Sequence, residues 1–133
     1  MRNLFMAFTV SCCLSLFSQE DLNYSKADFL RGSVTPEREW WDLNFYHLDI
    51  EVQPDNKYIS GKNTIHYTVL KPNNLMQIDL QPPMTIDKVT SEGKELSFKS
   101  SGNVHLILLD KNQLVGEIGL VTVHYSGFRK EAL

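Results

Sequence analysis

A long β-hairpin is written between Trp40 and Leu70, in the stretch WWDLNFYHLDIEVQPDNKYISGKNTIHYTVL, and it limits what the rest of the chain can do. Tyr46, Leu48, Ile50 and Val52 alternate with His47, Asp49 and Glu51, the period of two that gives a strand one buried and one wet face. Pro54-Asp55-Asn56-Lys57 breaks the alternation as a turn, and a second run rich in β-branched and aromatic residues returns from Ile59 to Val69. With Gln53 opposite Tyr58, Asp49 faces Lys62, an opposite-charge pair that favours this register. Asn63 then falls on the inward face and Gly61 interrupts the strand, so a β-bulge is expected at Gly61.

Short strands continue the pattern. Met76, Ile78 and Leu80 alternate with Gln77, Asp79 and Gln81 after the turn Lys71-Pro72-Asn73-Asn74, and Pro82-Pro83 ends that strand. Thr85 to Thr90 gives a fourth strand, and the turn Ser91-Glu92-Gly93-Lys94 leads into a fifth around Leu96 and Phe98. Val104 to Asp110 and Ile118 to Tyr125 complete the set, the last with Val121, Val123 and Tyr125 on one side. This spacing predicts an all-β fold, an antiparallel β-sandwich of about seven strands. No helical pattern is long enough to cover a parallel sheet.

Ahead of the hairpin, Thr35-Pro36 reads as the start of a brief helix, with Thr as N-cap and Pro at the first helical position. Another helical turn is expected around Ser25 to Leu30, with Gly32 as its C-cap. Trp40 and Trp41 stand where the strand begins, so one should be buried while the other caps an edge or meets another domain.

Arg2 precedes an uncharged, largely apolar run from Asn3 to Gln19, the layout of a secretory signal over residues 1–18. An uncleaved membrane anchor and a lipoprotein signal ending at Cys12 are the alternatives. Both cysteines, Cys12 and Cys13, lie in this segment, so a mature domain would carry no thiol and would depend on its core instead of disulfides. Removing Arg2 leaves 12 of the 13 basic residues against 16 acidic ones, a net charge of −4. The expected organisation is a signal at 1–18, a tether at 19–39, a β-sandwich at 40–127 and a truncated linker at 128–133. A mildly acidic chain without a basic stripe is a poor partner for nucleic acid.

Residues that could carry chemistry are few. His47 and His66 are diagonal neighbours on the wet face of the hairpin, close enough to share an ion, but no spacing supplies a third ligand; His105 and His124 stand apart. Asp49 and Glu51 could form a carboxylate pair, although cross-strand salt bridging accounts for them, and Trp40 with Trp41 could stack on a sugar or peptide. No nucleophile elbow, phosphate loop or His-Glu-x-x-His motif is present. The residues thus supply no catalytic, cofactor-binding or metal-ligating set.

From about Thr35 to Gly127 the chain resembles the N-terminal domain of the aminopeptidase N family, zinc-dependent gluzincin aminopeptidases. The resemblance rests on Trp41-Asp42 with Tyr46-His47-Leu48-Asp49-Ile50, on Pro54-Asp55-Asn56-Lys57 leading into Ile59-Ser60-Gly61, and on Thr64-Ile65. Ile78-Asp79-Leu80, Gly93-Lys94 with Leu96, and Val123-His124-Tyr125-Ser126-Gly127 follow in the same order. The double Trp and Ile59-Ser60-Gly61-Lys62-Asn63-Thr64-Ile65 look most like exported bacterial members. What this implies is a saddle-like β-domain packed beside a thermolysin-like catalytic domain that holds the zinc and meets the peptide substrate. Both of those would lie outside this chain. Asn63 departs from the family pattern, which has an apolar residue there. The alternative reading is a free-standing exported sandwich that binds peptide or glycan.

Overall fold

The hairpin forms in the register that its charges favour. Strands β1 (Trp41–Gln53) and β2 (Tyr58–Val69) pair antiparallel with Gln53 opposite Tyr58 and Asp49 opposite Lys62. Lys62 Nζ lies 3.4 Å from Asp49 Oδ2, and both groups are well exposed, so the pair contributes about 0.5 kcal/mol at most and acts mainly on register. Lys57 closes the turn in a left-handed conformation, its N–H donating to Pro54 O at 3.1 Å. The computed structural model describes residues 25, 28, 29 and 32–129. The expected signal at 1–18, most of the tether as far as Arg31, and residues 130–133 lie outside them.

The expected bulge is not at Gly61, which pairs in register with Ile50 on one side and Tyr125 on the other. Its missing side chain serves close approach instead: a Cβ there would stand 2.4 Å from Asp49 O. The irregularity falls between Leu43 and Phe45, where Asn44 is the extra residue. It leaves Leu43 opposite Tyr67 and turns Phe45 outward, where its ring stacks on His66 with centroids 4.0 Å apart.

Six further strands follow: β3 (Asn73–Asp79), β4 (Thr85–Ser91), β5 (Lys94–Leu96), β6 (Phe98–Ser101), β7 (Val104–Gln113) and β8 (Ile118–Phe128). They complete an all-β, antiparallel fold of two sheets, one ordered β1-β2-β8-β4-β5 and the other β3-β7-β6. The expected fifth strand is split at Ser97, so that β5 joins the five-stranded sheet and β6 the three-stranded one. Ser97 O accepts a bond from Leu108 N at 3.0 Å on β7, which fixes the crossing point.

The core lies between Ile65, Val69, Val89, Val121 and Val123 of the broad sheet and Met76, Ile107 and Leu109 of the narrow one. Of the two tryptophans, Trp40 is the buried one, 1% exposed, and its Nε1 donates to Leu75 O at 2.8 Å. Trp40 and Trp41 both meet Tyr67 edge-on, at centroid distances of 5.7 and 5.9 Å. The Tyr67 ring lies across its β8 partner Gly119, where a Cβ would come within 2.1 Å of a ring carbon. Aromatic ring and glycine therefore form one packing unit.

The segment before β1 shields an edge. Thr35 begins a single turn, with Arg38 N and Glu39 N both bonded to Thr35 O at 2.9 Å, but its hydroxyl does not cap that turn. Thr35 Oγ1 donates to Gln77 Oε1 at 2.9 Å, Gln77 N donates to Glu37 O at 3.0 Å, and Arg38 pairs with Asp79. The turn thus covers the outer edge of β3. Further upstream, Ser25 and Asp28 cap each other reciprocally and Phe29 N donates to Ser25 O at 3.0 Å, the expected helical turn. Gly32 belongs to that turn and has no left-handed φ, so it is not the expected C-cap.

Two outcomes are expected. Gly119→Ala forces the Tyr67 ring aside and should lower stability by about 2–3 kcal/mol, measured as a shift of the urea midpoint, with Tyr67→Ala in the same chain relieving the clash. Burial, with Glu117 and Glu92 as lesser contributors, pushes the Tyr67 hydroxyl up to about 12 from 10.0. The folded state keeps its proton where an unfolded tyrosine loses it, so this share of stability is intact below pH 10 and lost as pH rises through about 12. Tyr67→Phe should reduce that alkaline loss by on the order of 2 kcal/mol in denaturation measured across the interval.

Candidate functional site

The residues that could have carried chemistry are dispersed by the fold. His47 faces Thr64 on the outer side of the hairpin, while the neighbouring His66 ring is occupied by Phe45. His124 stands in a row between Lys62 and Lys88 on the adjoining strands. Desolvation first, and then those two ammonium groups, lower its pKa against a smaller opposing effect of Asp87. A cation would meet repulsion there. His105 is buried, bonded to Ser100 Oγ at 2.7 Å and directed at Leu80 O, a packing role. Asp49 is held by Lys62, and Glu51 accepts from Gln53 Nε2 at 2.8 Å. Among the described residues no three His, Cys, Asp or Glu side chains are grouped to hold a metal.

The notable surface lies elsewhere. The inner face of β1, expected to be buried, has no opposing layer: Tyr46 is 50% exposed, Leu48 56%, Ile50 51% and Val52 60%. The reason is width. The buried core draws on β2, β8, β4 and β5 of the broad sheet, and β1 alone lies beyond the reach of the three-stranded one. Between this uncovered face and the β3 edge lies an open cleft of about 730 Å³, floored by Asn63, Ile65, Val123 and Tyr125 and walled by Leu43, Tyr46 and Leu48 on one side and Ile78 and Leu80 on the other. The Arg38–Asp79 ion pair stands at its rim.

Asn63 supplies the polar feature of that floor. It sits between Leu48 of β1 and Val123 of β8, inward as its register requires, and its Oδ1 is buried with no hydrogen-bond partner among the described residues. Such an acceptor costs roughly 1–3 kcal/mol of desolvation when it is left unmet. The cleft is thus open and mainly apolar, with an unmet acceptor buried beneath its floor. It offers hydrophobic area, with the Arg38–Asp79 pair at its margin and the Tyr46 and Tyr125 rings in its lining, a combination suited to docking.

No protein family and no curated protein matches the chain in sequence. Similarity appears in three dimensions. An M1 zinc metallopeptidase from Deinococcus radiodurans superposes with a TM-score of 0.62 at 19% identity, over 71% of this chain and 22% of that one. A mutant of an M1 zinc metallopeptidase from the same organism, bound to a Tyr-Ser-Ala substrate, gives the same values. A two-domain M1 zinc metallopeptidase mutant bound to L-arginine matches with a TM-score of 0.60 at 19% identity, over 69% of this chain and 21% of its own. The chain therefore spans about a fifth of the length of these structures and shares the fold of one of their parts.

Asn63→Leu removes the unmet acceptor and adds apolar surface at the cleft floor. We expect it to raise the urea midpoint, by about 1–2 kcal/mol in unfolding free energy, whereas Ile65→Asn on the neighbouring floor position should lower it.

Proposed function

We propose that this chain is the non-catalytic N-terminal domain, a fragment, of an exported zinc metallo-aminopeptidase. Its role is to pack against the catalytic domain and help shape the substrate cleft. The observation that carries this reading is the uncovered inner face of β1. Leu43, Tyr46, Leu48, Ile50 and Val52 form an apolar stripe, each residue more than a third exposed, that continues past the cleft along the strand. At about 3.4 Å per residue the stripe is roughly 30 Å long. Contiguous apolar surface on that scale marks a contact face. A binder with a single ligand pocket would keep the rest of the strand polar.

Similarity to M1 metallopeptidase structures supports the identity of the missing partner. In such an enzyme the catalytic domain would supply a zinc ion to activate water for release of N-terminal residues from peptides. The described residues of this chain do not fit a zinc site, so the present domain contributes shape and burial to that chemistry and no ligand. Export rests on Arg2 and the apolar run that follows it.

The test compares the chain alone with the product that continues into the coding sequence past Leu133 in the source DNA, by zinc content and by hydrolysis of aminoacyl substrates. Near-stoichiometric zinc and turnover confined to the longer product support the reading. A longer product with neither, or a reading frame that closes at Leu133, overturns it and leaves the free-standing binding module.

A further inference from the structure

The free edge of β1 is a different surface from its inner face, and it is built unlike the other sheet edges of the molecule. β5 is only three residues long and begins with Lys94, β6 is four residues with Lys99, and the β3 edge is covered through the bond from Gln77 N to Glu37 O. These are the usual ways of keeping an edge from pairing with another chain. β1 is neither short, lysine-bearing nor covered, and its charges, Asp42, Asp49 and Glu51, stand on the outer face. It runs for 13 residues, contains no Lys, Arg, Pro or Gly, points no charge inward, and carries its single bulge at one end. Among the described residues no strand pairs with it on the side away from β2.

We propose that β1 pairs edge to edge with β1 of a second copy of this chain, antiparallel and symmetric about Leu48. The charges and the bulge at Asn44 together select the register. A two-fold axis through a residue keeps inner side chains opposite inner ones. With the axis at Asp49, that carboxylate meets its own copy; at Ile50, Asp49 meets Glu51; at His47, Ile50 is set against the bulged Asn44. With the axis at Leu48 no like charges meet. His47 faces the second copy's Asp49 twice over, Tyr46 faces Ile50, and Leu48 faces Leu48. Asp49 meets Lys62 through Oδ2, which leaves its other oxygen to accept from the imidazole N–H. The ladder then spans Phe45 to Glu51 on each copy and joins the two broad sheets into one. It leaves the inner faces open side by side, so the pairing stands independently of the domain reading above.

The test uses the full chain with Cys12→Ser and Cys13→Ser, so that added thiols are unique. Sedimentation equilibrium should show a dimer, and Leu48→Lys, which sets two ammonium groups against each other, should weaken it roughly tenfold. Under mild oxidation Leu48→Cys should give a covalent dimer with itself. Tyr46→Cys and Ile50→Cys should each fail alone and crosslink to one another when mixed. Circular dichroism confirms that each variant keeps its sheet content, which is expected because position 48 is half exposed. A chain that stays monomeric, or a Tyr46→Cys or Ile50→Cys variant that links to itself as readily as Leu48→Cys does, overturns the proposal.

Discussion

Strands in a sheet sit about 4.8 Å apart, and the three-stranded layer stops one strand short of β1, leaving roughly 5 Å of the broader inner face without an opposing layer. The rest of this structure follows from where that deficit falls. It falls on the β1 side, because β3, the near strand of the narrow sheet, stops short of it and is closed off there by the turn that begins at Thr35. Burial is accordingly deep at Ile65, Val121 and Val123, which meet Met76 and Ile107, and falls to about half along β1 from Tyr46 to Val52. A side chain such as Leu48 loses about half of the ~1.5–3 kcal/mol that full burial would bring. Because Tyr46, Leu48, Ile50 and Val52 are each about half exposed, covering all four would release roughly 3–6 kcal/mol.

The covered half compensates by dense packing at one end. Trp40 and Trp41 press edge-on against Tyr67, whose ring needs the empty space over Gly119, and the indole N–H of Trp40 reaches Leu75 O on the other sheet. These contacts join the N-terminal segment, both sheets and the hairpin at a single point. The cleft is at the opposite condition, open and with an unmet acceptor on Asn63.

Much of this was legible in the residues themselves. The hairpin register followed from Asp49 and Lys62, the turn from Pro54 to Lys57, and the burial of one tryptophan from its place at the start of a strand. Fold class followed from strand spacing. Other features were not legible, for physical reasons. Alternation in Tyr46, Leu48, Ile50 and Val52 reports which face of a strand is apolar, and says nothing about whether a second layer is wide enough to reach it. Gly61 looked like a bulge because a strand glycine signals either a bulge or a close approach, and only the distance to Asp49 O separates the two. The true bulge sits at Asn44, in a run of large residues that carries no glycine to mark it. Asn63 was correctly placed inward, but whether its amide would find a partner depended on neighbours no periodicity names.

The crossing at Ser97 has a mechanical meaning. β5 and β6 lie on the far edges of their sheets and are consecutive in sequence, so the backbone binds the two layers along one margin, reinforced by Ser97 O on Leu108 N. The opposite margin, between β1 and β3, is where the cleft opens. Ser97 is one of several ties: β2 to β3, β3 to β4 and β7 to β8 also cross from one sheet to the other, and Trp40 Nε1 reaches Leu75 O, so the open margin beside Leu48 belongs to a frame fastened at several points.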